Sequence, residues 1–91
     1  LKKSKVSFYY YKHDNKTCYN AGLYVPKKDR HSGIGKTLLS LCESVGRKLK
    51  FKNISLWVKK DSWVYDWYVR QGYTYLKPHD QKEYVWMTKR L

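Results

Sequence analysis

Two glycines separated by a single residue, Gly33 and Gly35, divide a β-strand pattern from an α-helix pattern. The run 17–25 before them is rich in strand-forming residues and ends at Pro26, whereas apolar residues recur at helical spacing after Lys36. Glycine lets a backbone turn sharply and approach a ligand, and the helix that follows contributes unpaired N–H groups and its positive dipole end. The segment 29–37 therefore predicts an anion site of the kind that holds a phosphate.

The remaining patterns predict a chain order of β-β-α-β-α-β-β in the α+β class. Strands are expected at 6–11, 17–25, 53–58, 73–77 and 83–90, and helices at 36–50 and from Asp61 or Ser62 to about residue 71, with Gly72 as the stop. The strand–helix–strand succession 17–58 predicts adjacent parallel strands, and the two ends of the chain predict antiparallel hairpins. Gly22 indicates a bulge, a close approach of backbone or ligand, or a weak point in its strand.

The first helix is expected to be amphipathic. Its apolar face is predicted to hold one set of residues at helical spacing: Leu38, Leu41, Cys42, Val45 and Leu49.

Length and charge limit the functional classes. Ninety-one residues with 18% aromatic side chains predict one domain, 1–91, whose thin core is filled by large rings. The net charge of +13 favours an anionic partner, with a solvated lysine-rich surface as the alternative.

Cys18 and Cys42 lack metal-ligand spacing and are read as small buried residues in a reducing compartment. With no apolar run of membrane length and no signal-peptide pattern, the expectation is a soluble, intracellular, cytoplasmic protein that binds neither a metal nor a membrane. The start at Leu1 indicates a fragment or a processed form.

Two nucleotide-binding motifs fail on spacing. The segment 33–37 ends in Gly-Lys-Thr, but a P-loop requires glycine where Arg30 stands. A dinucleotide fingerprint would require glycine where Leu38 stands.

What remains is Arg30-x-x-Gly33-x-Gly35, which resembles the acyl-coenzyme A signature of the GNAT superfamily of N-acetyltransferases, Arg/Gln-x-x-Gly-x-Gly/Ala. A second segment, 67–73, also resembles that family: Tyr68 is followed by Gly72 and an aromatic residue at the family's spacing. The resemblance covers about residues 17–77, and 83–91 fits the family's last strand.

This resemblance implies a GNAT-like mixed, mainly antiparallel sheet with helices packed on it, and acetyl-coenzyme A (acetyl-CoA) as co-substrate. Tyr68 would donate a proton to the departing thiolate, the alternative being a core aromatic residue. His31 would touch a phosphate or face solvent. The strand end and the loop would bind the cofactor through Leu23, Tyr24, Val25, Arg30, His31, Ser32, Gly33, Ile34, Gly35 and Lys36.

The chain also departs from the family pattern. Asp61 stands where the family often has Asn, and Val64 where it often has Ala. The strand before the loop holds no acid, so the amine proton would leave through a water chain or a group such as His13, Asp61 or Glu83.

A full domain of the family begins with a strand and two helices that are not found here. The expectation is a fragment, a compact variant, or a homodimer that completes its site, for example by exchanging its last strand, with the first strand as an open edge.

Two functions follow. The first is transfer of an acetyl group from acetyl-CoA to a primary amine in a ternary complex, the acceptor being a protein, a polyamine, a small molecule or an aminoacyl-tRNA. The alternative is a noncatalytic module that binds nucleic acid through its basic surface. The basic residues in question are Lys2, Lys3, Lys5, Lys27, Lys28, Arg47, Lys48, Lys50 and Lys52.

Overall fold

A computed structural model describes residues 3–91; Lys2, one of the basic residues above, lies outside them. The predicted order β-β-α-β-α-β-β is confirmed. The elements are Lys5–Tyr10 (β1), Thr17–Tyr24 (β2), Ile34–Lys48 (α1), Asn53–Lys59 (β3), Trp63–Arg70 (α2), Thr74–Pro78 (β4) and Tyr84–Arg90 (β5).

The strands form one five-stranded sheet in the order β1-β2-β3-β5-β4. β2 and β3 are parallel, as predicted, and the other three pairs are antiparallel. The predicted α+β class and mainly antiparallel sheet are therefore confirmed. β1 lies at one edge of the sheet, and β5 lies between β3 and β4 of its own chain.

The predicted irregularity near Gly22 is a β-bulge. The β1–β2 register pairs Ser7 with Gly22 but Phe8 with Asn20, so Ala21 is the extra residue. The Asn20 carboxamide oxygen accepts the Gly22 backbone N–H at 2.9 Å, which stabilises the turn of the strand at this point.

Both helices pack against the same face of the sheet, here called the covered face. The side chains of Ile54, Leu56 and Val58 in β3 point into this face, because alternate residues of a strand share a face. One buried cluster joins strands and helices: Cys18, Leu39, Cys42, Ile54, Leu56, Val58, Tyr68, Tyr73, Val85 and Met87.

The predicted packing face of α1 is confirmed at Cys42 but wrong at Leu41 and Leu49, which are 57% and 50% exposed. The buried residues of α1 belong mostly to the next stripe around the helix: Leu39, Cys42, Glu43 and Gly46. Gly46 brings the helix backbone close to the sheet, because a Cβ at this position would lie only 2.9 Å from the Cys18 sulfur. Close approach at glycine, and not the largest apolar side chains, therefore sets the rotation of α1.

Glu43 can occupy the buried face because its charge has partners. Its carboxylate accepts a hydrogen bond from the Tyr73 hydroxyl at 2.7 Å and one from the Lys89 ammonium at 3.2 Å. Lys89 also donates to the Gln71 carbonyl oxygen at 3.0 Å. This network ties α1 to the strand that follows α2 and to β5.

The ends of α2 agree with the sequence signals. Ser62 is the N-cap, and its hydroxyl accepts the Tyr65 N–H at 3.2 Å. Gly72 has φ +96°, a left-handed conformation that stops the helix and directs Tyr73 into the core.

Both cysteines are free and buried. Burial raises the pKa of the Cys18 thiol to about 11 and that of the Cys42 thiol to about 12. Neither helix in residues 3–91 is long and apolar enough to span a membrane.

Candidate active site

The site begins where β2 and β3 separate. The two strands pair only from Thr17 to Tyr19 and from Asn53 to Ser55, although β2 continues to Tyr24 and β3 to Lys59. The ends of β2 and β3 therefore diverge, and the divergence opens toward the glycine loop.

A groove of about 400 Å³ lies at this divergence. The end of β2, the loop, the first turn of α1 and one side of α2 enclose it. The lining residues are Leu23, Tyr24, Val25, Arg30, His31, Gly33, Gly35, Lys36, Trp63, Val64, Trp67, Tyr68 and Gln71.

The N-terminus of α1 opens into the groove without a side-chain cap. Its N-cap is Gly33, in the left-handed region at φ 90°, and the first helical bond runs from the Thr37 N–H to the Gly33 carbonyl oxygen at 3.0 Å. The N–H groups of the first three helical residues therefore have no partner inside the helix. The first turn holds no acid but does hold Lys36, a cation at the positive end of the helix dipole. An anion bound here would accept hydrogen bonds from the unpaired N–H groups and would neutralise the positive charge of Lys36 and of the helix end.

The loop before α1 is fixed by local contacts. The Arg30 guanidinium Nε donates to the Val25 carbonyl oxygen at 3.0 Å, and the Ser32 hydroxyl donates to the Asp29 carbonyl oxygen. His31 has φ 67°, an uncommon conformation that histidine tolerates better than most residues. The Arg30 side chain thus closes the loop on itself while its backbone borders the groove.

Gly35 lines the groove between Trp67 and Val25. A Cβ there would lie 3.6 Å from the Trp67 ring and 3.6 Å from a Val25 methyl group. A longer side chain would enter the space between these two residues.

Tyr68 borders the groove from α2 and is only 5% exposed. Burial raises the pKa of its hydroxyl above the usual value, the nearby Cys42 thiol adds to the rise, and the Asn20 side chain lowers it. The phenol is therefore protonated at neutral pH. Asn20 is 4% exposed and acts on the Tyr68 hydroxyl as a second polar group. Its carboxamide nitrogen has no hydrogen-bond partner within the described residues.

The structure brings most of the expected binding residues to one place. Eight of the ten line the groove together with Tyr68; Ser32 and Ile34 belong to the same loop and first turn but do not line it. Sequence reasoning missed Asn20 and four lining residues of α2 and its C-cap: Trp63, Val64, Trp67 and Gln71. Trp63 and Gln71 lie four residues on either side of Trp67, and this spacing was the available signal.

The three candidate bases, His13, Asp61 and Glu83, are exposed or lie in connecting segments outside the groove lining. Among the residues lining the groove, none is a carboxylate. Residues 3–91 contain no cluster of His, Cys, Asp and Glu side chains able to hold a metal ion.

A smaller recess of about 240 Å³ adjoins the groove and shares Lys36 and Gln71 with it. Its other lining residues are Leu39, Ser40, Glu43, Arg70 and Lys89. The cations on its wall extend the positive potential beyond the helix N-terminus.

A protein-family model described as the acetyltransferase (GNAT) family matches residues 5–73, which is most of the chain. The chain therefore belongs to the GNAT acetyltransferase family, as the two motifs indicated. No curated protein matches it significantly.

Solved structures support the fold. Ard1 from Thermoplasma volcanium matches with a TM-score of 0.82 at 16% identity, over 98% of this chain and 63% of that one. N-acetylglutamate synthase from Neisseria gonorrhoeae, complexed with coenzyme A and N-acetyl-glutamate, matches with a TM-score of 0.84 at 12% identity, over 98% and 23%.

The PaiA N-acetyltransferase from Thermoplasma acidophilum, in complex with coenzyme A, matches with a TM-score of 0.73 at 25% identity, over 82% of this chain and 46% of that one. This chain thus spans 63% of the length of the Ard1 structure and 46% of the length of the PaiA structure.

Proposed function

We propose that this chain is an N-acetyltransferase that moves the acetyl group of acetyl-CoA directly to a primary amine in a ternary complex. One observation carries the proposal: a single groove is lined both by an uncapped helix N-terminus and by a buried tyrosine, Tyr68. The first suits a pyrophosphate and the second suits proton donation at the opposite end of an extended ligand. Family membership and coenzyme A in two structural neighbours support the same ligand.

The residues of the groove would divide the work. Backbone N–H groups from the loop to Lys36 receive the pyrophosphate, and the backbone of 23–25 runs beside the pantetheine arm. Lys36 and Arg70, on the wall of the adjoining recess, favour a further phosphate of the same ligand.

The chemistry is one displacement. The amine nitrogen attacks the thioester carbonyl carbon, a C–N bond forms, and the C–S bond breaks with its electron pair left on sulfur. The Tyr68 hydroxyl, neutral at physiological pH, gives its proton to that sulfur. Because no carboxylate lines the groove, the amine proton leaves through water.

Binding tests the first half of the proposal. Gly35→Glu puts a long anionic side chain between Trp67 and Val25, and calorimetry should detect no saturable binding of acetyl-CoA. Gly22→Glu is the matched control, because that strand position is exposed and a Cβ there meets nothing within 4 Å. Equal losses in both variants would remove the groove from the proposal.

Turnover tests the second half. The readout is the rate of coenzyme A release with a panel of polyamines and peptide amines as acceptors. Tyr68→Phe should lower this rate by roughly 10² to 10⁴ and leave the affinity for acetyl-CoA unchanged. Tyr65→Phe, three residues earlier on α2 and outside the groove lining, should leave the rate unchanged. A fully active Tyr68→Phe variant would make this residue a core aromatic only.

A further inference from the structure

Asn20 is a buried polar residue with an unused hydrogen-bond donor. It lies on β2 two residues after Cys18, so the two side chains share the covered face, and both are buried. A buried amide nitrogen without a partner is rare in folded proteins, because the group loses its hydration and gains no bond in exchange. Within residues 3–91, the Asn20 carboxamide nitrogen is the only buried side-chain nitrogen or oxygen in this condition.

The β-bulge fixes how the Asn20 amide is turned. The Gly22 backbone N–H can only donate, so the Asn20 atom that it meets at 2.9 Å is the carbonyl oxygen, Oδ1. The nitrogen, Nδ2, is therefore the atom that is left to face another group. The bulge needs only the oxygen, so it does not explain why the side chain also carries an amino group. Bulges often redirect a side chain beside a functional site.

The Tyr68 hydroxyl adjoins this nitrogen. Burial and the Cys42 thiol raise the pKa of the hydroxyl, whereas a side-chain interaction with Asn20 lowers it. The lowering is the sign expected for an N–H directed at the phenol oxygen, because such a donor favours the ionised form. The neighbouring Tyr73 ring, whose centroid lies 5.4 Å from that of Tyr68, gives its own hydroxyl to Glu43 and is not available as a donor.

We propose that Asn20 is a positioning residue for Tyr68, an inference that rests on the function proposed above. Its Nδ2–H donates to the phenol oxygen in the reacting complex, where hydrogen bonds of a catalytic site commonly tighten. A hydroxyl has one hydrogen and two acceptor lone pairs, so an N–H on its oxygen leaves the hydrogen free to point into the groove. When that proton has moved to the departing sulfur, the same N–H stabilises the negative charge on the tyrosine oxygen.

Nuclear magnetic resonance tests the contact without measuring activity and without any substitution at Asn20. The chain has three Asn and two Gln residues, so few side-chain amide signals need to be assigned in a proton–nitrogen correlation spectrum. Tyr68→Phe removes the hydroxyl and keeps the ring. It should move the Asn20 amide signal, in the chain alone and with coenzyme A added, and leave those of Asn15 and Asn53 in place. An unmoved Asn20 signal in both conditions would overturn the inference.

Kinetics tests the role. Asn20→Asp keeps an oxygen for the Gly22 N–H but replaces the donor with a second oxygen. Loss of a hydrogen bond to the charge that develops on Tyr68 should lower kcat by roughly 10- to 100-fold. The dissociation constant of acetyl-CoA should not change. Asn53→Asp is the matched control, because it makes the same change on β3 at a residue outside the groove lining, and it should leave both quantities unchanged.

A double variant separates positioning from damage to the fold. Once Tyr68 is replaced by Phe, Asn20→Asp has no hydroxyl to act on and should change the remaining rate by less than about twofold. The same loss in both backgrounds would overturn the inference, because Asn20 would then act through the bulge. Weaker acetyl-CoA binding by Asn20→Asp would overturn it as well.

The outcomes distinguish this inference from the proposed function. If Tyr68→Phe loses turnover while the Asn20 amide signal does not move, positioning by Asn20 is wrong and proton donation by Tyr68 stands. If the signal moves while Tyr68→Phe is fully active, the contact exists but serves no proton transfer, and the proposed role of Tyr68 is wrong together with that of Asn20.

Discussion

The two faces of the sheet differ in which residues they carry and in how far those residues are buried. On the covered face, aliphatic side chains and two cysteines pack under α1 and α2, and the one buried acid, Glu43, is fully partnered. On the opposite face, here called the aromatic face, the rings of Tyr9, Tyr19 and Trp86 contact one another, and Lys59 and Arg90 occupy register positions of β3 and β5 on the same side. The buried core therefore lies on the first face, whereas partly exposed ring contacts dominate the second.

The largest expected effect contrasts neighbours on β3. Leu56→Ala, at a 2% exposed position on the covered face, should lower the free energy of unfolding by about 3 to 4 kcal/mol through lost burial and a cavity. Trp57→Ala, at a 42% exposed position, should cost about 1 to 2 kcal/mol through lost ring contacts. Urea unfolding measures both. A larger cost for Trp57→Ala would mean that the aromatic face is a second core.

The next effect concerns the buried acid. Glu43→Gln should lower the free energy of unfolding by about 2 kcal/mol, because the hydrogen bonds that Tyr73 and Lys89 donate to a carboxylate become bonds to a neutral amide or are lost. Glu83→Gln, at an exposed position, should change it by less than about 0.5 kcal/mol. If the two variants unfold alike in denaturant, the Tyr73–Glu43–Lys89 network does not hold the covered face together.

The third prediction is a pH effect confined to the covered face. The thiols of Cys18 and Cys42 have folded pKa values of about 11 and 12 against an ordinary 9.0, so above pH 9 only the unfolded chain releases their protons. The contribution of the two thiols to the free energy of unfolding is fully present below pH 9. Above pH 9 the free energy of unfolding should fall by at most about 1.4 kcal/mol per pH unit for each thiol.

Denaturant unfolding between pH 9 and 10 isolates these thiols, because the ordinary pKa of a tyrosine hydroxyl is 10.0. The Cys42→Ala variant should lose about half of the slope in this window. A decline that starts only above pH 10, in the wild-type chain, would assign the effect to tyrosines instead.

The smallest effect concerns helix-to-sheet distance. Gly46→Ala gains roughly 1 kcal/mol of helix propensity but forces a methyl group against Cys18, for a net loss of about 1 kcal/mol. Gly22→Ala meets nothing within 4 Å and should be neutral or slightly stabilising. Melting temperatures of the two variants compare them directly; a stabilised Gly46→Ala would show that α1 has room to move away from the sheet.

The sequence predicted the elements well because strand composition, turn residues and the glycine loop are local signals. The parallel pairing of β2 and β3 also followed, since a strand–helix–strand unit has few alternatives. Ser62 and Gly72 marked the ends of α2 because a cap and a left-handed stop require particular residues.

The rotation of α1 was not predictable from periodicity alone. Leu41 and Leu49 suggested a packing face, but the burial of Glu43 depends on Tyr73 and Lys89, which lie 30 and 46 residues away. The sequence predicted the loop residues of the groove but not Asn20. A single amide side chain in a strand does not indicate a site, and only the fold brings Asn20 close to Tyr68.

The position of β5 bears on how the protein is made. In the described sheet β4 pairs with β5 and with no other strand, and β3 offers its second edge to β5. A chain leaves the ribosome from its amino end, so β4 emerges before its partner exists. Until translation passes Arg90, β3 presents an open edge of the kind that promotes aggregation. While β5 is being synthesised, the nascent chain is therefore exposed to edge-to-edge association at β3.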